Sequence, residues 1–439
     1  MKVCNYSLDM KILLISPHPK KTRTFAKLSF PPLNLQQIAA STPPNYLVDI
    51  VDESFETTKK HYATDYDLIG IGSVTYTALR AYELADKFRR EGKTVVLGGW
   101  HPSALPEEAK HHADSVIIGE AEDTWPQLLK DHEQGKLKPY YEQNKSVDLN
   151  KISMATHNLN SGFYFYEGLE ASRGCPMGCN FCAITNSCHG RFFRMKQVSK
   201  VKKEINSIKK RYICFYDPTL TINPDFSIDL FKEMKNLNKK FICHGNIDIL
   251  LKREDLLKAA SEAGCITWSI GFDSVSQESV DSTGRKSNKV IEYRNIVDKI
   301  HDYNMTIDGT FMFGFDSEEN DIFEKTSDLV NSVDIDNPIF NTLTPFPGTP
   351  LYTDYDKQGR ITTKNWEKYD LLNVVFQPKK MTPEDLLNGT KDLRKEFHSN
   401  FKTIKRTIKT TSLGYHPFKM TALQNFNFMI NRLSYMRKS

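Results

Sequence analysis

Three thiols in one short loop are the residues of this chain best suited to chemistry: Cys175, Cys179 and Cys182, in Arg173-Gly174-Cys175-Pro176-Met177-Gly178-Cys179-Asn180-Phe181-Cys182. A C-x3-C-x2-C spacing lets three thiolates wrap a cubane [4Fe–4S] cluster, and Gly174 and Gly178 let the backbone come close to it. Three ligands leave one iron open, and an open coordination position separates a reactive metal site from a closed one. The competing chemistry is zinc, with Cys188 or His189 as fourth ligand, but the paired C-x2-C…C-x2-C spacing of zinc modules is missing. Cys188, Cys214, Cys243 and Cys265 are read as small core residues.

Two alternating series of elements flank and carry this loop. Before it, Lys11 to Ser16, Tyr46 to Asp52, Leu68 to Ser73, Thr94 to Leu97 and Ser115 to Ile118 are short apolar runs, separated by helical patterns such as Ala78 to Glu91. Strands alternating with helices predict a parallel, doubly wound, Rossmann-like α/β sheet, whose ligands belong at the carboxyl ends of the strands. There the sequence places Ser73-Val74-Thr75, Gly98-Gly99-Trp100-His101 and Gly119-Glu120-Ala121-Glu122. A polar stretch without periodicity predicts the end of this domain near residue 140 and a linker over 141–160.

The second series, over 161–360, opens with Tyr164 to Ser172. It continues with strands at Tyr212 to Tyr216, Phe241 to Ile247, Thr267 to Phe272, Thr306 to Phe313 and Ile339 to Leu343. Six strand and helix units predict a parallel sheet, open or closed into a partial (β/α)6 TIM-type barrel. Residues 361–439 turn helical and basic; Thr382-Pro383-Glu384-Asp385 is a helix start, with a capping Thr, Pro in first position and acids after it.

Composition narrows the setting. The 439 residues can form two or three domains, and 59 basic against 54 acidic residues give an excess too small to imply nucleic acid. The first ten residues lack the order of a signal peptide, and no run approaches the roughly 18 apolar residues of a membrane span. A cytoplasmic protein is expected, whose eight cysteines serve metal or thiol chemistry rather than disulfides. The segment from Phe397 to Lys409 alternates Phe401, Ile404 and Ile408 with Lys402, Lys405, Arg406 and Lys409, a pattern that suits peripheral contact with an anionic membrane or packing with its charges in water.

In this context the C-x3-C-x2-C loop resembles the signature of the radical SAM superfamily. Phe30-Pro31-Pro32-Leu33-Asn34-Leu35, Gly98-Gly99-Trp100-His101 and Val116-Ile117-Ile118-Gly119-Glu120-Ala121-Glu122 are similar to the cobalamin-binding domain that precedes the cluster in one branch, the branch of cobalamin-dependent radical SAM methylases. Ser269-Ile270-Gly271-Phe272-Asp273-Ser274, Phe313-Gly314-Phe315-Asp316 and Thr344-Pro345-Phe346-Pro347-Gly348-Thr349-Pro350 are similar to later strand-end motifs of that branch, so the likeness runs from about residue 10 to 405.

The resemblance implies that the open iron binds S-adenosylmethionine (SAM) and that an electron from the cluster releases a 5′-deoxyadenosyl radical. It implies SAM contacts from Arg173, Asp217, Asn246, Asp248, Asp273, Ser274, Phe313 and Gly314, with Asn246 and Asp248 alternating on one strand and Asp273 and Ser274 open to a capping role instead. It implies cobalamin contacts from Ser73, Val74, Thr75, Gly98, Gly99, Trp100, His101, Gly119, Glu120 and Glu122. The D-x-H-x-x-G motif of many cobalamin domains is absent: the loop reads Ser16-Pro17-His18-Pro19-Lys20-Lys21, so cobalamin without a histidine below cobalt is expected, with His18 as a candidate ligand. Asp217 is followed by Pro218 where the family often has a second acid, and Asp273-Ser274 stands where Glu-Ser is usual.

The leading functional reading is methylation of an unactivated carbon in a small-molecule, lipid or peptide substrate: one SAM methylates the cobalamin, a second yields the radical, and a reducing partner such as flavodoxin or ferredoxin supplies electrons. The alternative is a cobalamin-containing radical enzyme that rearranges, cyclises or joins carbon without net methylation. A non-catalytic metal or corrinoid carrier fits less well, because it needs no enclosed polar site among the later strand ends.

Overall fold

A computed structural model describes residues 10–19, 30–56, 58, 65–157, 159, 162, 164–285, 288–397 and 399. The chain divides into two compact units, one of residues 1–165 with 187–189, the other of residues 166–186 and 190–439.

The first unit holds β1 (Lys11–Ser16), β2 (Leu47–Asp52), β3 (Leu68–Gly72), β4 (Thr94–Gly98), β5 (Ser115–Ile118) and β6 (Tyr140–Glu142). All neighbours are parallel, in the order β2-β1-β3-β4-β5-β6. Ile12 to Ile15 are buried throughout, as a central strand covered on both faces requires. The helix Ala78–Arg90 turns Ala78, Ala81, Tyr82, Leu84, Ala85 and Phe88 inward at helical spacing. Strand order reverses between β1 and β3, the switch point outside which ligands of open α/β sheets bind.

β6 corrects the boundary expected near 140. It is a short edge strand in which only Tyr141 is buried, and one buried residue leaves no periodic signal in the sequence. Beyond it, within the span read as a linker, Val147, Leu149 and Ile152 form a small apolar cluster of their own.

The second unit contains β7 (Glu167–Leu169), the antiparallel ribbon β8 (Ser172–Arg173) and β9 (Arg194–Met195), and then β10 (Tyr212–Phe215), β11 (Lys240–Gly245), β12 (Cys265–Asp273), β13 (Thr306–Phe313) and β14 (Asn337–Thr342). Six of these form a parallel sheet in the order β14-β13-β12-β11-β10-β7, with helices between them as the (β/α)6 reading predicts. Alternation sorts the strands: Ile213, Phe215, Phe241, Cys243, Trp268, Ile270, Phe272, Ile307, Phe311 and Phe340 enter one large apolar core. The helix Pro383–Phe397 starts as expected, the Asp385 N–H donating to Thr382 Oγ1 at 3.1 Å, and its Phe397 ring packs on Phe340. The basic stretch Phe397 to Lys409 lies, after Phe397, outside the described residues except for Ser399.

Candidate functional site

The three-thiol loop leaves β8 through Gly174, whose φ of +86° and close approach to the Phe192 carbonyl exclude a Cβ. The Cys175 N–H donates to Gly190 O at 2.8 Å, Thr185 Oγ1 donates to Cys175 O at 2.7 Å, and Asn186 Nδ2 donates to Cys179 O and Cys182 O at 2.9 and 2.8 Å. The Asn180 N–H reaches Thr283 O at 3.0 Å, fastening the loop to the segment after β12.

Burial raises the Cys175 and Cys182 thiol pKa values, so ionisation waits for a cation. Among the described residues no three His, Cys, Asp or Glu side chains converge on a point that would hold a metal ion. A single zinc draws its thiolates to about 2.3 Å from one centre, whereas a cubane spreads its ligands over separate irons. The C-x3-C-x2-C spacing, without a second C-x2-C pair, is what favours the cluster over zinc.

The cation at the thiols is Arg285, which sequence reading missed. It lies 3.0 Å from Asp273 Oδ2, donates to Gly271 O at 3.1 Å and stands within electrostatic reach of Cys179 and Cys175. Burial opposes its charge, but Asp273, Cys179 and Cys175 outweigh burial and push its pKa upward. Arg173, expected in this role, instead pairs with Glu170 at 2.7 Å. No local signal distinguishes the two arginines, since Arg285 arrives from a loop about a hundred residues downstream.

Strand ends bring some expected SAM residues into place and remove others. Asp217 has no exposed surface, and its carboxylate accepts the N–H groups of Ala171 and Ser172 and the Ser172 hydroxyl; it positions the strand leading into the thiol loop. Asn246 is not on a strand but precedes the helix Ile247–Lys252, so Asn246 and Asp248 do not alternate on one face. Asn246 Oδ1 accepts from Thr219 and Thr221 hydroxyls at 2.6 and 2.8 Å, while Asp248 Oδ1 is buried with no hydrogen-bond partner. Asp273 takes a φ of +65° at the end of β12. Ser274 Oγ donates to Glu318 Oε1 at 2.6 Å, and the cap of the next helix is Ser276, not Asp273 or Ser274.

Phe313 is withdrawn into the core against Phe323 and Phe340, and Gly314, at φ +109°, faces Leu386 and Phe376. Gly314 contributes through its N–H, which donates to Glu318 Oε2 at 2.9 Å. Glu318, also missed, thereby ties the ends of β12 and β13 together. On the sheet face opposite the large core, paired register positions align His244, Ser269, Asp308 and Asn337, with Asn337 Nδ2 donating to Asp308 at 2.9 Å. His244 is solvent-accessible yet hemmed in, and desolvation holds its pKa below the usual value.

In the first unit, β3 and β4 end in a cradle. Gly99 has φ +104°, and a Cβ there would stand 2.5 Å from Ser73 O. Ser73 Oγ is buried without a partner, Thr75 is buried, and Val74 and Trp100 remain exposed beside Tyr76 and Leu79. An apolar shelf beside an orphaned hydroxyl at the strand ends fits a broad, amphipathic ligand such as cobalamin. Gly98 ends β4, and the Gly119 N–H donates to Ser103 at 3.0 Å in a turn whose φ of +89° also requires glycine. Glu120 exchanges hydrogen bonds with Gln143, and Glu122 is buried. His101 corrects expectation: it has no exposed surface and lies 3.2 Å from Glu108, inside the unit. The His18 N–H donates to Glu53 at 3.2 Å and its ring nitrogen lies 3.3 Å from Pro19 O.

Comparison with known proteins agrees with both halves of this geometry. The radical SAM superfamily matches residues 169–330 and the B12 binding domain matches residues 23–129. The chain is 31% identical over 415 residues to bacteriochlorophyllide d C-12(1)-methyltransferase of Chlorobaculum tepidum, covering 92% of this chain and 88% of that one. It is 32% identical over 372 residues to the C-8(2)-methyltransferase of the same organism, covering 79% and 80%. The fold is shared with a radical S-adenosylmethionine methyltransferase from Kitasatospora setae, solved with cobalamin and a [4Fe–4S] cluster bound, at a TM-score of 0.71 and 13% identity over 98% of this chain and 100% of that one. With both domains matched in order and two relatives of this identity covering most of its length, the chain belongs to the radical SAM superfamily, in the branch that joins a B12-binding domain to the cluster domain and uses a [4Fe–4S] cluster, SAM and cobalamin.

Proposed function

We propose that this enzyme transfers a methyl group to an unactivated carbon. The observation that carries the reading is the presence in one chain of a B12-binding unit and the three-thiol loop, at 31% and 32% identity to two methyltransferases. When bound, the cluster and cobalamin supply an electron for SAM cleavage and a transferable methyl group.

The protein's part is positioning and charge. Cys175, Cys179 and Cys182 hold the cluster from a loop stiffened by Thr185 and Asn186, and Arg285 offsets its negative charge while Asp273 fixes the guanidinium. Asp217 and Glu318 hold the strand ends around the site, and Asp248 offers an unused carboxylate oxygen to a polar ligand. The row His244, Ser269, Asp308 and Asn337 gives substrate polar groups a place to bond. Ser73 and Gly99 shape the cobalamin cradle. The substrate is a small molecule, lipid or peptide, and chlorin pigments are the first to test, because the two relatives are named for them.

The test is anaerobic reconstitution with iron and sulfide, followed by incubation with SAM, reductant and methylcobalamin. Formation of both 5′-deoxyadenosine and S-adenosylhomocysteine, lost on replacing any of the three cysteines, supports methyl transfer. Deoxyadenosine alone favours rearrangement or cyclisation.

A further inference from the structure

The segment from Arg191 to Arg211, directly after the thiol loop, carries nine Lys or Arg residues and one acid, Glu204. Its surplus of eight exceeds the surplus of five on the whole chain, and residues 398–439, with eight Lys or Arg and no acid, carry a second basic stretch, so the rest of the chain is net acidic. Glu204 does not offset the segment's surplus at the surface, because it is buried on Lys196 at 2.9 Å. Lys202 and Lys210 are paired with Glu233 and Glu167. Arg191 and Lys203 are exposed, and Phe192, between Arg191 and the ribbon strand β9, keeps 63% of its surface in solvent.

This surface adjoins the cluster loop. The Arg191 guanidinium carbon lies 3.9 Å from where a Gly178 Cβ would stand, Gly190 O accepts the Cys175 N–H at 2.8 Å, and Phe192 O presses on Gly174. An exposed aromatic within a basic rim has the makeup of a docking patch for an acidic protein, and its charge would steer such a partner to this edge.

We infer that Arg191, Phe192, Arg194, Lys200 and Lys203 form the docking face for an acidic one-electron carrier of the flavodoxin or ferredoxin type. The inference rests on the radical SAM reading, which requires a reductant. The reduced carrier loses one electron, the oxidised cluster gains it, and no atom or proton is exchanged. The helix Val198–Ser207 spans about 15 Å, which sets Lys209, beyond its far end, apart from the loop.

The test compares Arg191→Glu, Lys203→Glu and Lys209→Glu in the full chain, each with the same charge change. Two quantities are measured: affinity for an oxidised acidic flavodoxin, and 5′-deoxyadenosine formation driven by reduced flavodoxin or by dithionite. The first two substitutions weaken flavodoxin binding about tenfold and slow the flavodoxin-driven reaction in proportion. Lys209→Glu stays near the parent, and the dithionite-driven rate of Lys203→Glu is unchanged. Equal loss in all three variants, or loss in none, overturns the docking face. So does weakened binding of Lys203→Glu to anionic phosphatidylglycerol vesicles with flavodoxin affinity intact. If dithionite yields no deoxyadenosine in the parent, the radical SAM reading fails, and the affinities still decide the surface.

Discussion

Arg285 Nη1 lies 3.0 Å from Asp273 Oδ2 while the same guanidinium stands within electrostatic reach of Cys179, so one cation is shared between a buried carboxylate and a cluster thiol. Arg285→Ala strands Asp273, whose side chain is 4% exposed, without a counter-charge. Removing one partner of a buried pair costs about 3 kcal/mol here, the low end of the usual range because Arg285 keeps 19% of its surface. Urea unfolding of the cluster-free protein measures the loss, and the double variant Asp273→Ala/Arg285→Ala recovers part of it. Unfolding of Arg285→Ala indistinguishable from the parent would sink this assignment.

Arg173 supplies the contrast. Its ion pair with Glu170 is local, three residues apart, and its carboxylate keeps 21% of its surface where Asp273 keeps 4%, so Arg173→Ala costs less, about 1 kcal/mol. Iron bound per chain after reconstitution stays at the parental level in this variant and falls in Arg285→Ala. The opposite ranking would restore Arg173 to the role that its place beside Cys175 suggested.

Two buried carboxyls give the second unit a pH dependence. Burial pushes Asp217 and Glu318 up to about 7, against the hydrogen bonds each accepts, which favour the charged form. In the unfolded chain both ionise near pH 4, so between about pH 4 and 7 the folded protein holds protons that the unfolded chain has released. Stability therefore falls as pH rises through that window and levels off above it. The unfolding free energy in urea is expected to be lower at about pH 7.5 than at about pH 5, and Glu318→Gln to reduce the slope. A stability that rises over this interval in the parent, with no change of slope in the variant, would contradict the raised values.

How far the sequence could be read follows from where each signal resides. The thiol loop was legible because its ligands are close in sequence, and the central strands because Ile12 to Ile15 and Phe241 to Cys243 are buried as continuous short runs. Arg285 and Glu318 were not, since each acts on a partner from another loop or strand and neither carries a local pattern. Asn246 and Asp248 were misplaced because β11 ends at Gly245, and strand alternation cannot be carried across a strand-to-helix turn. His101 sits in a glycine turn that the sequence reads as a ligand contact, yet its side chain, in the first turn of the helix Trp100–Ala104, points inward to Glu108. A turn can be recognised from its glycines, but the direction of the side chain after it depends on packing.

Gly99 tests the cradle of the first unit. Its φ of +104° disfavours any L side chain, and a Cβ would stand 2.5 Å from Ser73 O and 3.1 Å from Ser73 N, both backbone atoms that cannot swing away. Gly99→Ala must therefore push β3 and β4 apart at their ends, at a cost of about 1–3 kcal/mol in strain. The displaced turn carries Ser73, Val74 and Trp100 with it, so hydroxocobalamin binding, followed by absorbance titration, is expected to weaken about tenfold or more, one decade for each 1.4 kcal/mol of that strain released in the ligand-free state. Gly92→Ala is the control: it too has a positive φ, +77°, but nothing lies within 4 Å of its Cβ position, so it adds strain without moving the cradle. Equal cobalamin affinity in the two variants would show that the β3 and β4 turns do not shape the site.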